Sequence, residues 1–344
     1  MSGIAGFAGS GAGAIDAAAV ADALSFTGVE HVEETREEKR PQGFLGLAVT
    51  HETEASRCSP LYEDGRLRIL LAGYITGIEG TGFDPARPGD ALELCAGLFR
   101  SEGTGFARRL NGSWTMAIHD AEEDALHLFC DRTATRHLYY MEKNGALAFA
   151  SRIEAFTPMG LEPTAKLNRQ AFIEFMVFSR LLVSEMWEGV HPVPPATALS
   201  FRAGCTERRV FWNLKFAYDR NPASLEENAE RMAGALRDAV GRSTAGFERL
   251  SLLLSGGLDS RAIMACMPED TVCYTMYSRR NLELRVAART ARVHGCRHVP
   301  LQVGPHHYLE ILPGAARTCE GAYRYCDAHF GADYGAVSSI YGPW

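Results

Sequence analysis

The sequence of 344 residues lacks several features that define large protein classes. None of its nine cysteines forms a CxxC pair, which argues against a zinc site or a redox pair. No run of about 18 apolar residues occurs, so no segment is expected to span a membrane. The N-terminus has neither the basic region nor the apolar core of a signal peptide, so we expect a cytoplasmic protein with reduced thiols.

An excess of positive charge is also missing. Lysine and arginine number 35 against 42 aspartate and glutamate residues, and the formal net charge is -7. This balance argues against a protein that coats nucleic acid or an anionic membrane, so we expect neither as a partner. Charges of both signs alternate at residues 33–40, which predicts a solvated loop or helix face.

The length predicts two domains, and the hydrophobic pattern changes between the two halves. Strand-like runs broken by glycines dominate the first half, and helical spacing occurs at 90–101 and 169–178. This predicts sheets packed against one another or against helices. We place the domain boundary near Gly204, which gives domains at 1–204 and 205–344. The predicted strands of the first half are 43–49, 67–75, 114–118, 125–130 and 146–150.

The second half alternates between strand and helix patterns. It opens with a helix at 224–243, where Ser224 and Glu227 form a capping-box sequence. Alternation of this kind predicts a parallel sheet with helices on its faces. The predicted strands are 250–254, 272–277, 298–303 and 337–341, and the predicted helices are 259–266, 282–294 and 307–319.

A glycine-rich turn follows the first apolar strand of this half. Glycines let a backbone approach a phosphate closely, and N–H groups at a helix start face an anion. An ordinary turn between strand and helix is the alternative, but the complete hexapeptide after an apolar strand favours phosphate binding. The predicted nucleotide-binding residues are Leu254, Ser255, Gly256, Gly257, Leu258, Asp259 and Ser260.

Two side chains in or beside this turn are candidates for contact with a metal ion or a phosphate. Asp259 offers a carboxylate oxygen to Mg²⁺, an ion that also binds substrate phosphates at such sites. Arg261 either reaches a phosphate or lies on the helix surface. The sequence thus predicts ATP and Mg²⁺ as ligands, with Asp259 as the metal ligand.

The motifs of both halves resemble one family. The turn resembles the pyrophosphate loop of ATP pyrophosphatases and lacks the Gly-Lys-Ser/Thr end of a Walker loop. With the other motifs, the chain resembles the asparagine synthetase superfamily, which also holds β-lactam synthetases and lasso-peptide macrocyclases. The motifs of the first half that carry this resemblance are Met1–Phe7, Arg109–Trp114, Asp131-Arg132, Arg136–Tyr140, Phe149–Ser151, Val193–Ala196 and Phe211-Trp212.

The resemblance implies a fold and an activity. The first domain would be an α+β, N-terminal-nucleophile sandwich of αββα type, and the second an α/β ATP-binding domain. ATP would be cleaved to AMP and pyrophosphate, which adenylates a small-molecule or peptide carboxylate for attack by ammonia or a substrate amine. A natural-product cyclase and a non-catalytic ATP-binding homologue remain alternatives, and a homodimer is left open.

The first domain departs from the family at its glutaminase site. The family nucleophile is a cysteine after the initiator Met, whereas this chain has Ser2, a degenerate nucleophile position. Ala72 stands where the family has an oxyanion Asn, and Thr53 where it has an Arg. Only Asp90 matches, so we expect glutamine hydrolysis to be lost.

Other candidates lie later in the chain. Glu320 resembles a catalytic acidic residue near the acyl-adenylate, with an exposed loop carboxylate as the alternative. Glu283 is either a helix cap or a site residue. His306 and His307 are interpreted as loop residues, not metal ligands. Because the sequence stops before the second Mg²⁺-binding loop of the family, we expect a fragment or a truncated gene product.

Overall fold

The computed structural model describes residues 3–9, 17–24, 30–38, 44–51, 59–181, 185–216, 223–247 and 249–319. It divides into two compact units, the first running to Leu214 and the second beginning at Lys215. The predicted strand at 337–341 lies outside the described residues. Among the residues described, no helix combines the length and the apolar character needed to cross a membrane.

The first unit is built mainly from strands. Its strands are β1 (Gly3–Ala8), β2 (Glu30–Glu38), β3 (Phe44–His51), β4 (Leu61–Glu63), β5 (Leu67–Ile78), β6 (Leu110–Asp120), β7 (Ala125–Cys130), β8 (Tyr139–Lys143), β9 (Ala146–Ala150), β10 (His191–Pro192), β11 (Thr197–Arg202) and β12 (Cys205–Val210). Its α-helices are α1 (Ala17–Leu24), α2 (Ala91–Glu102) and α3 (Arg169–Phe178). Short 3-10 segments lie at Pro88–Asp90, Gly103–Arg109 and Ile153–Met159.

These strands form two six-stranded sheets. The first sheet has the order β10-β8-β9-β1-β3-β2, and the second has the order β12-β11-β7-β6-β5-β4. Neighbouring strands are antiparallel in both sheets. Antiparallel pairing allows a short hairpin, which is observed between β6 and β7.

Side-chain alternation along single strands separates three apolar layers. On β1, Ile4 lies in the core between the two sheets, whereas Phe7 packs in the layer that includes α1. On β5, Ala72 lies between the sheets and Leu71 packs in the layer that includes α2. Successive residues of a strand point to opposite faces, so each sheet is buried on both sides. The layer order is helix, sheet, sheet, helix, which confirms the αββα prediction.

Two elements of the first unit differ from the sequence expectation. The charged run predicted as a loop or helix face lies largely in β2, the edge strand paired with β3. Backbone pairing with β3 overrides the local polar character, and charge on an edge strand discourages further strand addition. The helix α1 was not predicted, because its sequence is part of a Gly/Ala-rich stretch without a long apolar period.

The first unit also continues past the predicted boundary. Gly204 lies in the turn between β11 and β12, which pair along their whole length in the second sheet. Phe211 then donates its backbone N–H to the carbonyl of Ala196. These hydrogen bonds hold the connector on the first unit as far as Leu214.

Burial lowers the pKa of two histidines in this unit, His127 and His137, so its stability is expected to be sensitive to mild acid. Burial lowers the pKa of His127, although the carboxylates of Asp120 and Glu123 act in the opposite direction. Its ring lies 5.3 Å from that of Phe99, and its Nδ1 lies 2.8 Å from Ser200 Oγ. A histidine with a depressed pKa takes up its proton later in the folded chain than in the unfolded chain.

We therefore expect the free energy of unfolding to fall as pH decreases through the unfolded pKa of about 6.5. Denaturant unfolding between about pH 7.5 and about pH 5.5 tests this, because carboxylates titrate near pH 4 in the unfolded chain. His127→Gln should reduce the dependence, and His137, whose pKa is also lowered by burial, should retain part of it. Equal slopes for the wild type and the variant would show that His127 does not cause it.

The second unit has a parallel sheet with helices. Its strands β13 (Ser251–Leu253), β14 (Val272–Tyr277) and β15 (Arg297–Gln302) form a three-stranded sheet in chain order. Its helices are α4 (Leu225–Thr244), α5 (Leu258–Met264), α6 (Leu282–Val293), α7 (His307–Glu310) and α8 (Leu312–Cys319). The predicted parallel α/β architecture is confirmed for the described strands.

Local signals set the helix ends of this unit. Ser224 caps α4, with its hydroxyl accepting from the Glu227 N–H and the Glu227 carboxylate accepting from the Ser224 N–H. The prediction of a single helix at 307–319 was wrong, since the structure has two helices here, separated at Ile311. Pro313 explains the break: proline has no N–H to donate and is tolerated only in the first turn of a helix.

Candidate functional site

The glycine-rich turn joins β13 to α5 and is held by two serines. The Ser255 N–H donates to Ser260 Oγ over 3.1 Å, and the two hydroxyl oxygens are 2.9 Å apart. The Gly257 N–H donates to Ser255 Oγ over 3.1 Å. Within the described part of the chain, the Gly256 N–H has no acceptor. The turn therefore offers two hydroxyl groups and one unengaged amide at a single point.

Gly256 is required by a close approach of two backbones. A Cβ at this position would lie 3.0 Å from Glu283 Cα, in the first turn of α6. Since Glu283 Cα is a backbone atom, it cannot rotate away as a flexible side chain would. Asn281, not Glu283, caps α6 by accepting from the Leu284 N–H over 2.9 Å. Glu283 is therefore not the residue that caps α6, and its Cα, Cβ and Cγ atoms lie beside the turn.

A cleft of about 330 Å³ opens beside the turn, within the size range of small-ligand sites. It lies where the carboxyl ends of β13 and β14 meet, the usual ligand position in an open parallel sheet. Its lining residues are Leu253, Leu254, Ser255, Tyr274, Thr275, Met276, Tyr277, Ser278, Asn281, Glu283, Val303, His307 and Tyr308. The cleft thus combines apolar side chains with hydroxyl groups and a carboxylate.

The predicted loop residues divide into those that line the cleft and those that do not. Leu254 and Ser255 line it, whereas Leu258 and Asp259 are exposed on the first turn of α5. Arg261 donates from Nε to the Gly257 carbonyl over 2.9 Å, so it braces the turn rather than pointing into the cleft. Glu320 lies outside the described residues.

Several cleft residues were not predicted from sequence. Met276 and Ser278 are at the end of β14, and their position at the carboxyl edge of a parallel strand was an available signal. His307 was interpreted as a loop residue, but it is buried, begins α7 and lines the cleft. No cluster of three potential metal ligands occurs among the described residues.

The glutaminase positions of the first unit are only partly described. Ser2 and Thr53 lie outside the described residues. Ala72 is 1% exposed in the core between the two sheets and has only a methyl side chain, which cannot donate a hydrogen bond. Asp90 is exposed before α2 and makes no capping hydrogen bond with its side chain.

Family models match both units of the chain. The model for the glutamine amidotransferase domain matches residues 1–212, and the model for asparagine synthase matches residues 231–334. The first match covers more than half of the sequence. It includes both six-stranded sheets, and the second match includes the glycine-rich turn and the parallel sheet.

Two similar proteins come from Bacillus subtilis (strain 168). Asparagine synthetase [glutamine-hydrolyzing] 3 is 26% identical over 158 residues, which is 45% of this chain and 25% of that protein. Asparagine synthetase [glutamine-hydrolyzing] 2 is 22% identical over 291 residues, which is 76% of this chain and 37% of that protein. The matched regions therefore span less than half the length of either relative.

Solved structures give weaker similarity. An allosteric regulatory enzyme of purine biosynthesis has a TM-score of 0.37 and 12% identity, covering 87% of this chain and 80% of its own. A glutamine phosphoribosylpyrophosphate amidotransferase from B. subtilis has a TM-score of 0.39 and 13% identity, covering 87% of this chain and 65% of its own. At these TM-scores neither structure adds to the assignment. By its family matches, the chain belongs to the glutamine amidotransferase domain family and to the asparagine synthetase superfamily.

Proposed function

We propose that this chain contains the ATP-binding part of an AMP-forming ligase that makes amide bonds, of the asparagine synthetase type. The observation that carries the proposal is the turn at Ser255–Ser260, whose first residue lines a cleft at the carboxyl edge of the parallel sheet.

The chemistry of the cleft fits a nucleotide. At the edge of the cleft, the Ser255 and Ser260 hydroxyls would exchange their hydrogen bonds within the turn for hydrogen bonds to phosphate oxygens, and Gly256 would supply an amide. Leu254, Met276 and Val303 line the cleft with apolar surface suited to a base. Asp259 would hold Mg²⁺, which neutralises charge on the phosphates when bound. A carboxylate substrate would then be adenylated and attacked by ammonia or by an amine of the substrate.

The test is ATP–pyrophosphate exchange with a panel of amino-acid and peptide carboxylates, alongside direct titration of Mg-ATP. The proposal predicts Mg-ATP binding and an exchange signal that depends on the carboxylate. AMP, not ADP, should be the nucleotide product. Binding without exchange for any carboxylate would favour the non-catalytic homologue, and absence of both would overturn the proposal.

We further propose that the first unit no longer hydrolyses glutamine. The position that resembles the family's oxyanion Asn is Ala72, whose methyl group is packed in the core between the sheets. Without this donor the tetrahedral oxyanion would lose stabilisation that is worth about 10²–10³ in rate in comparable sites. Ser2 also replaces the more nucleophilic cysteine.

We therefore expect no glutamate release from glutamine, measured by a coupled glutamate assay with the intact chain. Ser2→Cys tests whether the nucleophile alone is missing, and this variant should also remain inactive because Ala72 is unchanged. Glutamate release by the wild type would contradict the proposal. Release by Ser2→Cys alone would show that the oxyanion position is not limiting.

A further inference from the structure

The first peptide of the glycine-rich turn is held at both of its polar groups. The carbonyl of Leu254 accepts from the Thr275 hydroxyl over 2.6 Å, and the N–H of Ser255 donates to Ser260 Oγ over 3.1 Å. These two groups belong to one planar peptide unit. The plane of this peptide therefore cannot rotate without breaking one of these two hydrogen bonds.

A histidine completes this arrangement from the neighbouring strand. His298 Nε2 lies 2.9 Å from Thr275 Oγ1. The Thr275 hydroxyl has one proton, which it gives to the Leu254 carbonyl, so the contact with His298 requires a proton on Nε2. Burial lowers the pKa of His298, which favours the neutral ring, and the Thr275 contact selects the tautomer with its proton on Nε2. Hydrogen bonds thus run from β15 through β14 to the start of the turn.

The environment makes this set of contacts costly to break. Leu254 is 1% exposed and Thr275 is 3% exposed, so water cannot readily replace the hydroxyl at the Leu254 carbonyl. The Leu254 N–H is also engaged, donating to the Tyr274 carbonyl over 2.7 Å. A buried acceptor that loses its donor carries the full desolvation penalty.

We propose that Thr275 and His298 are positioning residues that orient the first peptide of the turn, and with it Ser255 and Gly256, for binding the phosphates of a nucleotide. This inference rests on the proposed function in assuming that the ligand is ATP. Neither side chain needs to touch a phosphate. Their effect is transmitted through the Leu254 carbonyl, which fixes the direction of the Ser255 N–H and the path of the backbone into Gly256.

The decisive variants are Thr275→Val and Thr275→Ser, with Thr271→Val as the matched control. Thr271 is also fully buried in this unit, and its hydroxyl has no hydrogen-bond partner among the described residues. We expect Thr275→Val to weaken Mg-ATP binding about tenfold, as loss of one hydrogen bond to a buried acceptor predicts. Thr275→Ser should restore affinity to within about twofold of the wild type, and Thr271→Val should leave it unchanged.

Hydrogen–deuterium exchange of the 254–257 backbone provides a readout that needs no nucleotide. Thr275→Val and His298→Phe should accelerate exchange there, while Thr275→Ser and Thr271→Val should not. If the wild type binds no ATP yet exchange changes in this pattern, the proposed function fails and the positioning role stands. Unchanged exchange in Thr275→Val, or equal loss of ATP affinity in Thr271→Val, would overturn the inference.

Discussion

Asp259→Ala is expected to abolish carboxylate-dependent ATP–pyrophosphate exchange and to weaken Mg-ATP binding at least about tenfold. The carboxylate lies on the first turn of α5 and is exposed, so that an ion can reach it. Mg²⁺ at such sites is held by one or two carboxylates together with substrate phosphates. Removal of the one carboxylate in the loop would therefore leave the metal without its protein ligand.

The control for this variant is Asp238→Ala, which removes the same charge from the exposed surface of α4. It should retain both binding and exchange. A magnesium titration separates loss of metal binding from loss of phosphate binding. Asp259→Ala should change the magnesium concentration required for nucleotide binding more than it changes ATP binding in the absence of metal. Normal exchange by Asp259→Ala would exclude Asp259 as the metal ligand.

Gly73→Ala is expected to destabilise the first unit by about 3 kcal/mol or more. Gly73 has a φ of +101°, a backbone conformation that residues with a side chain rarely adopt. A Cβ there would also overlap the carbonyl oxygen of Ser113 and the side chain of Arg136. Because β5 pairs with β6 at this position, the strand cannot move aside without losing ladder hydrogen bonds.

The matched control is Gly97→Ala on α2, where an added Cβ meets no atom within 4 Å. Alanine is favoured over glycine inside a helix by about 1 kcal/mol, so this variant should be neutral or more stable. Denaturant unfolding of both variants compares the two glycines directly. A loss of less than about 1 kcal/mol in Gly73→Ala would mean that the strands relax around the new methyl group.

Much of the fold was predictable from local patterns. Apolar, strand-like runs identified β5 and β7, and helical spacing identified α3 at its observed ends. The Ser224 and Glu227 pair located the start of α4. These signals are reliable because each depends only on residues within one helix or strand. Backbone geometry sets the spacing of the apolar residues and the position of the capping residue.

Two elements that depend on pairing with a neighbouring strand were not predicted. The strand β2 carries a charged sequence and exists through its pairing with β3. The connection through β12 belongs to the first unit because β11 supplies its hydrogen bonds, not because its own sequence differs from a linker. In both cases the partner is the adjacent strand of a hairpin, and backbone pairing with it, not the composition of the strand itself, stabilises the element.

The candidate site shows the same division. The sequence by itself determined the turn at Ser255–Ser260, because two glycines and two serines in that order have few structural uses. Only the tertiary structure decided that Glu283 limits the space at Gly256 and that Thr275 and His298 fix the Leu254 carbonyl. Those contacts join three parallel strands and a helix. Parallel strands are connected by long crossovers, so no short window of the sequence contains both partners of such a contact.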